Sequence, residues 1–190
     1  NAKFPLFLGI GLLIFSFYLN SDLSFLTEHS YVMTSLYIRG FGMGLIFTPL
    51  SSLSLATIPR DKIAQASGIS NTVRQIGGSL GVAVLSTMLT SRVNFHSQIY
   101  GGAIQSGSQV FQNTIHSLSA YIQHNAGSSL AAATKQSQSI LISHVNSQAF
   151  IQGVNDDFMI AAGITAVCFI PIILMHSKKK MAQKVQLKQQ

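Results

Sequence analysis

Two arginines inside apolar stretches carry the most chemical information in this 190-residue chain. Arg39 opens the glycine-rich run 39–44, and Arg74 lies in a second such run, residues 71–81. An ionisable side chain at the centre of a bilayer costs about 2.5–3.5 kcal/mol on insertion scales, so it usually faces a bundle interior or a water-filled path. The two arginines therefore indicate part of a membrane transporter.

Polar side chains accompany Arg74 on one helical face. Asn71, Arg74 and Gln75 stand at positions i, i+3 and i+4, which are neighbours on a helix surface. We predict that Arg39, Asn71, Arg74 and Gln75 line a transport cavity or lock helices together. The alternatives are that Arg74 snorkels to the cytoplasmic interface and that Arg39 is a static tie to a carbonyl or carboxylate on another helix.

Glycines near both arginines have the spacing of helix-packing residues in lipid. Gly40 and Gly44 stand four apart, as do Gly77 and Gly81, and small residues at that spacing allow close helix approach. Pro49 lies in mid-segment, where it can act as a hinge or as a static bend. The predicted packing and hinge residues are Gly40, Gly44, Pro49, Gly77, Gly78 and Gly81.

The sequence contains no recognisable catalytic or metal-binding pattern. No nucleophile–base pair, phosphate loop or zinc motif is present, so we predict no enzyme activity, no metal and no cofactor. Four histidines between residues 92 and 155 have no metal-ligand spacing, and we expect them to be solvated. Asp156 and Asp157 fall at the outer mouth of the last apolar segment, where we likewise expect ordinary surface solvation.

Composition and apolar runs predict an all-α membrane protein. Hydrophobic residues make up 47% of the chain and charged residues 9%, against about 25% charged in soluble domains. A spanning helix needs roughly 17–25 residues. We predict four transmembrane helices: three within residues 1–91, at about 4–19, 31–58 and 69–89, and a last one at 156–176.

Lysine and arginine positions predict the orientation. If the C-terminus is cytoplasmic, eight of the twelve Lys and Arg residues lie at inner ends, including those of the basic tail 177–190. The outer side then holds only Arg92 and Lys135, apart from the two arginines within spans. Lysines that gather after an apolar run favour a membrane-surface tail over a nucleic-acid site, so we predict no nucleic-acid partner.

The connection 92–155 is external in this topology. Apolar residues recur at helical spacing in two groups, which are Phe111, Ile115, Leu118 and Ile122, and Leu141, Val145 and Ala149. The stretch 125–129 separates the groups with a helix stop and a candidate N-cap serine. We predict a periplasmic helical hairpin; the alternative is a disordered polar loop.

Several runs match a known family. They are Gly40-Phe41, Thr48-Pro49-Leu50, Ile58-Pro59-Arg60-Asp61, Ala64-Gln65-Ala66-Ser67-Gly68, Asn71-Thr72 and Arg74-Gln75-Ile76-Gly77-Gly78-Ser79-Leu80-Gly81. These runs resemble the fourteen-helix drug:proton antiporters of the major facilitator superfamily, the EmrB/QacA type. The resemblance implies that the four spans are the last four of fourteen. It also implies that 92–155 is the family's hairpin between its last two helices.

The resemblance sets the expected function. It implies the C-terminal part of a proton-driven multidrug efflux permease in the bacterial cytoplasmic (inner) membrane, which exports amphipathic or hydrophobic compounds by alternating access. The expected partners are the lipid bilayer, the N-terminal helices of the same permease, drug-like substrates and a periplasmic adaptor protein. The alternative is a membrane anchor or assembly subunit that has a periplasmic docking hairpin and performs no transport.

Overall fold

Helices account for almost all of the described chain. The computed structural model describes residues 3–55, 58–103 and 108–174. The elements, in order, are α1 (Lys3–Leu19), α2 (His29–Leu55), a 3-10 turn (Arg60–Lys62), α3 (Ile63–Ala103), α4 (Gln109–Ala126), α5 (Leu130–Val167) and α6 (Phe169–Leu174). Within these ranges there is no strand, and the prediction of an all-α protein is confirmed.

Two of the described helical stretches are long and apolar enough to cross a membrane. They run over Arg60–Gly102 and Leu130–Ile173, whereas the apolar helix Phe4–Leu19 is shorter. These lengths are consistent with a membrane protein. The count of four spans stays a prediction.

Helices α3 and α5 continue past the predicted ends of their spans. Helix α3 has 41 residues and is about 60 Å long at 1.5 Å per residue, roughly twice the hydrocarbon thickness of a bilayer. The apolar run ends near Leu89, but residues 90–100 contain no glycine or proline, so the helix has no reason to stop there. Helix α5 likewise runs from the predicted hairpin into the predicted last span as one element of 38 residues.

The described residues fall into two compact units. The first comprises the described parts of Asn1–Leu19, Glu28–Arg74 and Ile160–Gln190. Its core forms where α1 meets α2 and α6, and it holds the buried residues Leu6, Ile10 and Ile172 with Ile14, Ile46, Leu53 and Phe169 packed against them. Phe7 on α1 stacks on Phe169 with ring centroids 5.6 Å apart.

The second unit comprises Asn20–Thr27 and Gln75–Met159. Ser108 caps α4 by accepting a hydrogen bond from the Phe111 amide, and Gly127 ends the helix with a left-handed φ of 61°. Ser129 then accepts from the Ala132 amide at 3.4 Å and begins α5. The predicted helix stop and N-cap serine are therefore confirmed.

The apolar stripes predicted for this region lie on its inner side. Ile115 is 6% exposed and Ala149 is fully buried, and the other five stripe residues are half-buried. A groove lined by Tyr121 and Ile122 of α4 and by Gln136 and Ile140 of α5 lies between the two helices, which run side by side. The helical spacing of these stripes is confirmed, whereas their external location stays a prediction.

Candidate functional site

Arg39 links α2 to α1. Its Nε donates a hydrogen bond to Ser16 Oγ at 3.3 Å, and Ser16 Oγ donates to the Ser35 carbonyl oxygen at 2.9 Å. Its guanidinium also lies over the Phe17 ring, 5.1 Å from the centroid. Ser16 and Ser35 are both fully buried. In its own unit, Arg39 therefore contacts a buried hydroxyl and an aromatic face of the neighbouring helix.

Two glycines allow α1 and α2 to approach closely enough for this contact. A Cβ on Gly9 would lie 2.8 Å from the Gly42 carbonyl oxygen and 2.7 Å from Ile46 Cγ1. A Cβ on Gly42 would lie 3.0 Å from the Gly9 carbonyl oxygen. Gly9 and Gly42 lie on different helices and 33 positions apart, so no spacing rule within one segment pairs them.

The glycines selected by spacing have open surroundings in the described residues. A Cβ at Gly40, Gly44, Gly77, Gly78 or Gly81 would meet no described heavy atom within 4 Å. Pro49 lies inside α2, which continues to Leu55. The packing and hinge roles of these six residues stay predictions.

Arg74 contacts α2 through an aromatic ring. Its guanidinium lies 4.6 Å from the Phe47 centroid, which is the geometry of a cation–π contact. Asn71, Arg74 and Gln75 are all exposed. The structure thus places Arg74 against a neighbouring helix, while cavity-lining roles for Asn71, Arg74 and Gln75 stay predictions.

The surface of α3 around these residues is apolar and uncovered. No residue in the most apolar part of this helix is buried. The side chains of Val73, Leu80 and Val82 are each more than 60% exposed. A helix that is apolar all round belongs in the core of a large protein or in a membrane. Apart from polar side chains such as Asn71, Arg74 and Gln75, this part of α3 has the kind of surface that lipid or further helices cover.

An ion-pair cluster joins α3 and α5 in the second unit. His96 Nε2 lies 2.9 Å from Asp156 Oδ2, and Arg92 Nε lies 3.8 Å from the same oxygen. The sequence predicts ordinary solvation for His96 and Asp156, yet the His96 side chain is only 17% exposed. The two residues are 60 positions apart, so only a tertiary structure could pair them. His116, His124 and His144 are exposed as expected.

Among the described residues, no group of three or more His, Cys, Asp or Glu side chains could hold a metal ion. The polar clusters that do form, around Arg39 and around Asp156, join helices through hydrogen bonds and ion pairs. Such an arrangement is suited to fixing or switching helix contacts.

Comparison with known proteins shows which family the chain resembles. Residues 1–82 match the model of the Major Facilitator Superfamily. The chain is 26% identical over 88% of its length to the uncharacterized MFS-type transporter YhcA of Bacillus subtilis, and 27% identical over 94% to the colistin resistance protein EmrB of Acinetobacter baumannii. It is 35% identical over 55% of its length to the quinolone resistance protein NorB of Staphylococcus aureus. Over residues 1–82 the chain is thus similar to the Major Facilitator Superfamily, a family of transporters and not of enzymes.

The matched relatives are much longer than this chain. The alignments cover 31% of YhcA, 34% of the Acinetobacter protein and 23% of NorB. The chain thus spans about a third of the length of the curated relatives that it matches along most of its own length. No solved structure matches the chain.

Proposed function

We propose that this chain is the C-terminal part of a proton-driven multidrug efflux permease that exports amphipathic or hydrophobic compounds. Support comes from its relatives, several of which are named as multidrug export or drug resistance proteins. The observation that carries the proposal is the exposed polar group Asn71, Arg74 and Gln75 on the otherwise apolar surface of α3. Cavities that accept drug-sized ligands combine apolar walls with a few placed polar groups in this way.

Alternating access gives the α1–α2 pair a role. Transporters of this kind move groups of helices as rigid bodies around a central site. The close contact at Gly9 and Gly42, with the Arg39–Ser16–Ser35 hydrogen bonds beside it, makes α1 and α2 suited to move together. We assign Arg39 to holding this pair and Arg74 to the cavity wall, with Phe47 supporting its guanidinium.

The proposed location is the bacterial cytoplasmic (inner) membrane with a cytoplasmic C-terminus. Support comes from the Lys and Arg distribution, in which Arg60 and Lys62 lie in the turn before α3. The basic tail residues Lys178, Lys179, Lys180, Lys184 and Lys188 lie outside the described residues. Residues 92–155 are external in this topology.

The proposed partner of the external segment is a periplasmic adaptor protein. The outer faces of α4 and of the first half of α5 are rich in exposed Ser, Gln and Asn side chains, which are suited to hydrogen-bonded contact. Such a contact would allow an exported compound to be passed onward. Structural capping of the helix ends is the competing role for this segment.

Substitution of Arg74 in the complete transporter tests the proposal. Arg74→Ala should lower drug resistance and the rate of cationic dye efflux at normal membrane expression. Arg74→Lys should restore both in part, because a lysine keeps the charge and the cation–π contact but loses the planar donor fork. Full resistance in Arg74→Ala would contradict the cavity role, and an absence of dye efflux in the wild type would favour the anchor alternative.

A further inference from the structure

Helices α3 and α5 approach closely one turn from the Asp156 cluster. A Cβ on Gly153 would lie 2.5 Å from Val93 Cγ2 and 3.0 Å from the Val93 backbone nitrogen. Gly153 precedes Asp156 by three residues, and Val93 precedes His96 by three. Residues three apart share a helix face, so the ion pair and the tight glycine contact belong to one crossing.

The residue before Asp156 fixes α5 to a loop. Asn155 Nδ2 donates to the Leu23 carbonyl oxygen at 2.9 Å, and the Leu23 amide donates to Asn155 Oδ1 at 3.0 Å. Asn155 is only 5% exposed. Two adjacent residues of α5 thus contact two different elements. Asn155 binds the loop 20–27, and Asp156 binds α3.

The two attachments differ in their response to protons. The amide of Asn155 does not titrate, so its pair of hydrogen bonds is independent of pH. Histidine is the side chain whose charge ordinarily changes between pH 5 and pH 8. When His96 is neutral, Nε2–H donates to Asp156 Oδ2; when a proton is added at Nδ1, the same contact becomes an imidazolium–carboxylate pair, which is the stronger interaction.

We infer that His96 and Asp156, flanked by Arg92, form a proton-binding site that tightens the crossing of α3 and α5 when it is occupied. The ligand is a single proton taken up by His96. Because an imidazolium attracts a carboxylate more strongly than a neutral ring does, the crossing is firmer when His96 carries the added proton. This inference stands apart from the proposed transport function, because it concerns only the contact between two helices.

Other titratable or charged side chains near the pair come from the same elements. Helix α3 contributes Arg92, 3.8 Å from Asp156, and Tyr100, whose ring stacks on His96 at 6.0 Å. Helix α5 contributes Asp157, next in sequence, and the loop contributes Asp22, beside the Leu23 that Asn155 holds.

Distance measurements between spin labels test the inference directly. In the complete transporter with Cys168→Ser, labels at Gln98→Cys on α3 and Asn146→Cys on α5 occupy two exposed positions of one unit. We expect a narrow distance distribution at pH 5.5 and a broader or longer one at pH 8.

Three further variants test which residues cause the change of the distance distribution with pH. His96→Gln should remove the difference between the two pH values, because glutamine keeps a donor but takes up no proton. Asp156→Asn should give the broad distribution at both pH values. The matched control His116→Gln, on an exposed histidine of α4, should keep the wild-type response. A wild-type distribution that does not change with pH, or a response that survives in His96→Gln, would overturn the inference.

Discussion

At the scale of single residues, Arg39 shows how an ionisable group is accommodated in an apolar helix pair. The hydrogen bond to Ser16 and the contact with Phe17 offset part of the cost of burying this group. Ser16 is itself engaged with the Ser35 carbonyl oxygen, so the arginine completes a short polar chain between α1 and α2. The functional role and the static tie that the sequence leaves open for Arg39 both stay predictions, and the hydrogen bond to Ser16 favours a tie.

We expect Arg39→Ala to lower the stability of the complete transporter by about 1.5–3 kcal/mol, the range for a hydrogen bond to a charged group. Arg39→Lys should recover part of the lost stability, because the cation can remain near Phe17. The measurement is thermal unfolding of the purified protein in detergent, with Arg60→Ala in the exposed 3-10 turn as the control. An unchanged melting temperature in Arg39→Ala would refute the tie.

The glycine contact between α1 and α2 gives a matched pair of substitutions. Gly9→Ala should destabilise the protein by about 1–3 kcal/mol, because its Cβ would overlap the Gly42 carbonyl oxygen at 2.8 Å. Gly11→Ala, two residues away with nothing within 4 Å, should be neutral or slightly stabilising, since alanine favours helix more than glycine does. Folded yield and melting temperature measure both. Equal behaviour of the two variants would contradict the close approach.

At the scale of elements, the sequence predicted helices better than it predicted where they end or what they touch. The stripe of Ile115 and the cap at Gly127 were predictable because helical spacing and a left-handed glycine are local signals. The continuation of α3 beyond Leu89 was not predictable in this way. The end of an apolar run marks a change of surroundings and not a break in the backbone. His96 and Asp156 meet across 60 residues, so their pairing depends on tertiary packing.

Because α3 and α5 are continuous helices, the external segment can be tested by removing only α4 between them. Replacing residues 104–129 by a Gly/Ser linker removes α4 and leaves α3 and α5 whole. If the segment docks an adaptor, this variant should fold and bind drug but lose resistance and adaptor cross-linking. The control is a linker of the same composition that replaces only residues 104–107. Unchanged resistance and cross-linking would refute docking, and failure to fold would favour structural capping.

At the scale of the whole molecule, the proposed topology places residues 92–155 on the outside of the membrane. Asn113→Cys, on the exposed face of α4, should react with an impermeant maleimide in intact cells when the background carries Cys168→Ser. Asp61→Cys, in the turn before α3, should react only after lysis. Both expectations follow from the Lys and Arg bias. Labelling of Asp61→Cys in intact cells would invert the proposed orientation.

The proposed function is that of a proton-driven drug exporter, of which this chain forms a part. Its most direct test uses the purified complete transporter in proteoliposomes with an imposed pH gradient and a fluorescent cationic dye. We predict that the dye moves against its concentration gradient, that protons move in the opposite direction, and that a protonophore stops both. A well-folded protein that moves no dye under a pH gradient would contradict the claim.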